Sequence, residues 1–169
     1  VEWYRHVAHD ITRAETPEKL VNDGYLWSKM NLEWLTQDSQ GMGTCAVAGH
    51  QDFVSYFGGD TFHSIGGILA SGLHQTAKDS LRMIGAITME QGGKAPHEFS
   101  STGKVHDPGS VGETQGFITS VWKTHLWTGD EEFFKEMYPI CRKGMLEYVA
   151  SEPTMDGVLM AECEDRPGG

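Results

Sequence analysis

Runs of helical period joined by very short turns alternate in this chain with three long Gly-containing stretches, residues 37–59, 92–112 and 151–169. That alternation narrows the available architectures. Helices with almost no linker between them must fold back on each other, and long connections recurring between such pairs gather on a shared functional face. No stretch shows sustained period-two alternation bounded by turn signals. The expected fold class is therefore all-α, built from paired antiparallel helices.

The individual runs are legible. Trp3–Arg13 forms a first helix. Thr16-Pro17-Glu18 is a good start for a second, which reaches about Thr36 with an interruption or kink at Asn22-Asp23-Gly24. Thr61–Leu73 and Gln75–Met89 follow, the latter turning Ala77, Leu81, Ile84 and Thr88 inward and stopping at Gly92-Gly93. Glu113–Trp127 carries the stripe Phe117, Val121, Trp122, His125, Leu126. Thr128-Gly129-Asp130 ends that helix and caps the next, Glu131–Val149, in which Pro139 marks a kink or restart. Spacing is too irregular for a short-repeat solenoid.

At 169 residues the chain has the usual size of one domain, and no apolar run is long enough to span a bilayer. Acids outnumber bases 24 to 13, giving a formal charge of −11, which argues against a broad nucleic-acid footprint. Cys45, Cys141 and Cys163 are odd in number and far apart, favouring a reducing, cytoplasmic compartment over a disulfide scaffold or zinc site. His6 and His9 lack a third ligand nearby, as does His97-Glu98, so neither a metal nor another cofactor is expected. The ending Asp165-Arg166-Pro167-Gly168-Gly169 has the character of a loop entering another element, and residues 1–169 are expected to be part of a larger domain.

Each long stretch holds carboxylates beside Gly, Pro or an aromatic residue. In Tyr56-Phe57-Gly58-Gly59-Asp60-Thr61-Phe62, an aromatic pair and two glycines precede one acid. Rings offer flat apolar faces to a sugar's C–H side, an ionised Asp60 accepts hydrogen bonds from hydroxyls, and glycines admit close approach. Asp60 before the stripe Ile65, Ile68, Leu69 is equally an ordinary helix N-cap. The second stretch holds Pro96-His97-Glu98-Phe99 and runs to Glu113, which either caps the next helix or points into a cleft. In the third, Glu162, Glu164 and Asp165 crowd together. Crowding raises carboxyl pKa values, fitting one of them to donate a proton, whereas the bland alternative is a solvated acidic turn partnered by Arg166.

The order of these segments resembles the first half of an (α/α)6-toroid glycosidase of the amylo-α-1,6-glucosidase, glycogen-debranching type in the glucoamylase-like clan. The likeness covers about residues 25–169. It rests on Phe57-Gly58-Gly59-Asp60-Thr61-Phe62, Tyr25-Leu26-Trp27-Ser28-Lys29-Met30-Asn31-Leu32-Glu33-Trp34-Leu35, Gly93-Lys94-Ala95-Pro96-His97-Glu98 and Thr128-Gly129-Asp130-Glu131-Glu132-Phe133 with Met137-Tyr138-Pro139. The resemblance implies twelve helices in two concentric rings, with loops at one end surrounding a terminal glucose. It implies that Asp60 binds hydroxyls of the innermost sugar, that Glu113 contacts sugar, and that Glu164 or Asp165 is the general acid, with Glu162 behind them. Gly59 departs from the pattern by standing where that family carries arginine, and Cys163 stands where an aromatic residue is common.

The expected activity is hydrolysis of α-linked glucose at glycogen- or maltodextrin-like chain ends, with inversion and with a general base outside these residues. Expected partners are an oligo- or polysaccharide and the remainder of the catalytic domain, with no nucleic acid and no membrane. Tyr56, Phe57, Asp60, His97, Glu98 and Glu113 are the expected substrate-binding residues. The rivals are a trehalase-like hydrolase, phosphorylase or polysaccharide lyase of the same architecture, and a helical binding or scaffold protein.

Overall fold

The computed structural model describes residues 2–39, 41–50, 52–152, 154–155 and 158–159. Six α-helices dominate: α1 (Glu2–His9), α2 (Lys19–Trp34), α3 (Gly58–Ala70), α4 (His74–Glu90), α5 (Val111–Thr128) and α6 (Glu131–Lys143). The chain is mostly helical, and short strands accompany the helices. Among the described residues, seven short strands form three small antiparallel sheets: β1 (Thr36–Ser39) with β2 (Gly43–Ala46); β3 (Tyr56–Phe57), β4 (Glu98–Phe99) and β5 (Val105–Asp107) in that order; and β6 (Thr154–Met155) with β7 (Val158–Leu159). All fall within or at the edge of the stretches expected to be loops. Strands of two to four residues are too short to display a period. β1, Thr36-Gln37-Asp38-Ser39, is polar throughout and owes its extended form to pairing with β2.

Several helix ends differ from expectation for local reasons. α1 stops at His9, and Lys29 Nζ then donates to Thr12 O at 2.8 Å and Ala8 O at 3.4 Å, taking up carbonyls that a longer helix would have used. α2 starts at Lys19 and runs unbroken through Asn22-Asp23-Gly24. There the Asn22 amide turns back to Thr16, accepting from its backbone N at 2.9 Å and donating to its O at 2.9 Å. α6 passes through Pro139 without ending, and the change comes at Gly144, where a π turn (Gly144–Tyr148) and a 3-10 turn (Val149–Ser151) continue the chain. Gly144 lies against Gly93, whose added Cβ would sit 3.0 Å from the Gly144 backbone.

The tight turns behave as expected. Residues 71–73 return α3 into α4 with Gly72 at φ 82°, and Gly129 at φ 64° closes α5 before Asp130 caps α6 by accepting from Phe133 N at 3.0 Å. Lys78 Nζ reaches the same Asp130 at 3.1 Å and ties α4 to that corner. The core gathers Ile65, Ile68 and Leu69 from α3, Leu81 and Ile84 from α4, Phe117 and Val121 from α5, and Phe133 and Met137 from α6. A Cβ on Gly85 would stand 2.8 Å from Met137 Cε, so that glycine sets how closely α4 and α6 approach. No described helix is long and apolar enough to cross a membrane.

Candidate functional site

The three-stranded sheet joins two of the long stretches and decides which residues face outward. β3 pairs Tyr56 with Phe99 and Phe57 with Glu98. Side chains alternate across a strand, so one pair enters the core and the other is turned away from it. Tyr56 and Phe99 are both fully buried with ring centroids 5.4 Å apart, and the Tyr56 hydroxyl meets Ser39 Oγ. Tyr56, expected to offer its ring to a sugar, is thus a packing residue here, and that expectation is corrected. Phe57 and Glu98 are only partly buried.

The start of α3 follows from the same pairing. Phe57 occupies the N-cap position without a side-chain cap, and Gly58 N donates to His97 O at 2.8 Å. An orphan N–H of the helix start is satisfied by the backbone just before β4. Only glycine fits position 58, because an added Cβ would lie 2.2 Å from Pro96 O. Asp60 therefore sits in the first turn, not at the N-cap, and is exposed. The capping role weighed for it is replaced by a carboxylate on the positive end of a helix.

His97 is held from three sides. Its backbone N donates to Asp107 O at 3.1 Å, its ring meets Phe57 edge-on at 5.8 Å, and its Nδ1 lies 3.2 Å from Glu113 Oε1. Glu113 in turn closes the N-terminus of α5. Ser110 N donates to Glu113 Oε2 at 2.8 Å, Ser110 Oγ donates to the same oxygen, and Ser110 Oγ accepts from Gly112 N at 3.1 Å, a reciprocal capping box. Glu113 thus caps its helix and also faces a cleft, so both readings weighed for it describe one side chain.

Burial is the largest influence on the Glu113 carboxyl and pushes its pKa up. The Ser110 hydroxyl, the Glu113 and Ser110 backbone N–H groups and the His97 ring together outweigh it, so the net shift is downward. Glu113 is ionised at neutral pH. An ionised carboxylate only accepts, which assigns the proton of the shared hydrogen bond to His97 Nδ1.

A groove of about 470 Å³ runs from this cluster between α3 and α5, lined by Gly59, Phe62 and His63 on one side and Glu113, Gln115 and Lys123 among those on the other. Gly112 and Gly116 keep the α5 wall low; a Cβ on Gly116 would meet Phe62 at 2.8 Å. His63, Ser110 and Lys123 were not singled out from the sequence, and Phe62 entered only as the end of the Tyr56–Phe62 stretch. The pattern Ser110-x-x-Glu113 was the available signal for Ser110, and Gly112 and Gly116, four apart on α5, for the groove.

The arrangement brings together Phe57, His97 and Glu113, with Glu98 next to His97 at the start of β4 and Asp60 in the first turn of α3. Glu162, Glu164, Asp165 and Arg166 lie outside the described residues. Among the described residues no group of three or more His, Cys, Asp or Glu side chains is placed to hold a metal ion. Comparison of the chain with protein-family models, with curated proteins and with solved structures gave no match.

Proposed function

We propose that the chain forms part of a glycoside hydrolase acting on α-linked glucose at the ends of glycogen- or maltodextrin-like chains. The observation that carries this reading is the joining of Phe57, His97 and ionised Glu113 at one end of the α3–α5 groove. A ring edge, an imidazole and a carboxylate beside a groove that offers both apolar surface and polar groups suit a neutral polyhydroxylated ligand. Glu113 Oε1 has acceptor capacity beyond its bond to His97, and exposed Asp60 adds a second acceptor from the neighbouring helix. In this reading Asp60, His97, Glu98 and Glu113 bind sugar.

Catalysis is assigned to other residues. Glu164 or Asp165 protonates the departing glycosidic oxygen, and a base outside residues 1–169 activates water on the opposite face of the ring, at the separation of about 6.5–9.5 Å that inversion requires. The larger architecture in this proposal is an (α/α)6 toroid to which these six helices contribute.

The test uses the protein that carries this chain. Maltose binding is followed by calorimetry, and the products from maltodextrin and glycogen are identified together with the anomer released. Glucose of inverted configuration is expected, lost in Glu164→Gln or in Asp165→Asn. Release of an unsaturated sugar or a sugar phosphate would replace hydrolysis by elimination or phosphorolysis, and retention of full activity in both variants would remove the assigned proton donor.

A further inference from the structure

On the side of α5 and α6 away from α4, an apolar groove of about 410 Å³ is lined by Ile118, Trp122, Phe134, Tyr138, Met145 and Leu146 among others. Trp122, Phe134 and Tyr138 form a chain of ring contacts at 5.9 and 6.0 Å, and His125 lies 4.6 Å from Phe134. The face continues past the groove through Leu126 and Trp127, more than half exposed. Apolar area of this extent on a chain of net charge −11 is a site of association.

The α6 side of the groove is self-complementary. Glu131, Phe134, Tyr138 and Arg142 follow one another at intervals of three, four and four residues, which places them on one helical stripe. An acid stands at one end, a guanidinium at the other and two aromatic rings between them; Glu131 and Arg142 are both exposed. At 1.5 Å per residue the two charges are about 16 Å apart along the axis. A two-fold axis across the middle of the stripe lays a second α6 antiparallel on the first. Each Glu131 then meets the other copy's Arg142, the rings pack centrally, and the helix dipoles oppose; a parallel arrangement would set like charges together.

We infer that the α5–α6 face is a symmetric docking surface for a second copy of this chain. Trp122 and Tyr138 are its central anchors and the two Glu131–Arg142 pairs fix its register.

Sedimentation velocity of the protein that carries this chain tests this at about 0.15 M salt, where distant surface charge is screened. A dimer is expected within concentrations of about 100 μM. Trp122→Glu should raise the dissociation constant at least ~30-fold. Arg142→Glu and Glu131→Arg should each weaken association roughly 10-fold, and the double exchange, which restores opposite charges across the axis, should recover most of the loss. Far-UV circular dichroism identifies any variant that fails to fold, and the charge exchange at two exposed positions stays decisive if Trp122→Glu does not fold. A monomer throughout the range, a dimer indifferent to these changes, or a double variant no better than the singles would each overturn the assignment.

Discussion

Glu113 Oε1 and His97 Nδ1 lie 3.2 Å apart, and this contact couples the first turn of α5 to the residue before β4 whose carbonyl receives Gly58 N at the start of α3. One carboxylate thereby holds a helix end with one oxygen and an imidazole with the other.

Removing that carboxylate should cost both fold and ligand. Glu113→Ala is expected to lower stability by about 1–2 kcal/mol through loss of the capping box, or several degrees in Tm for a chain of this size. His97→Ala spares the cap and should lose less stability. If Glu113 and His97 form a sugar site, His97→Ala still weakens maltose binding in calorimetry; an unchanged affinity with an unchanged Tm would leave the pair without a role.

The same carboxylate gives stability a pH dependence of known sign. Its folded pKa lies below the ordinary glutamate value, so the unfolded chain binds the proton more readily. The contribution is fully present above the ordinary glutamate range and is lost as pH falls through the depressed folded value. Urea midpoints measured from pH 7 to pH 3 should fall less steeply in Glu113→Gln than in the wild type over that acid window.

Adjacent glycines should respond in opposite ways. A Cβ at Gly58 would collide with Pro96 O at 2.2 Å, whereas at Gly59 it would meet only the His97 ring at 3.9 Å. Gly58→Ala is expected to cost about 1–3 kcal/mol or more, because backbone must move. Gly59→Ala should be neutral or stabilising by up to about 1 kcal/mol, as a helical glycine is replaced. Thermal melts of the two variants decide it, and equal effects would contradict the close approach of residues 58 and 96.

Lys29 is buried with its amine on the carbonyls of Thr12 and Ala8. Desolvation first, and Arg13 second, lower its pKa. Lys29→Met keeps the length but leaves those carbonyls without this donor, an expected cost of about 1–3 kcal/mol. Hydrogen exchange should show protection lost first in α1 and residues 10–13, with α4 and α5 unchanged.

The long helices were legible because their stripes are strong. Leu81 and Ile84 in α4, and Phe117 and Val121 in α5, recur at helical spacing, and Gly129-Asp130 is a chain reversal written in two residues. The strands were not, since Tyr56-Phe57 and Glu98-Phe99 acquire extended form from each other across about forty residues of chain. That also hid the start of α3. Gly58-Gly59 has the composition of a loop, and its helical character comes from a bond to His97 O that no local pattern records. Tyr56 and Phe57 are alike in composition and differ only in which side of the strand they occupy. Glu113 was half legible: its chemistry could be read, whereas its double duty depends on a histidine sixteen positions away.

The bond from Gly58 N to His97 O runs between main-chain atoms, so the place where the histidine ring meets α3 is independent of the side chains around it. Residue 59, next along the helix and aimed at that ring, is then a position where identity can drift while the frame stays fixed. Change there alters what the imidazole meets without altering where it stands, which makes it an economical route for selection to retune specificity.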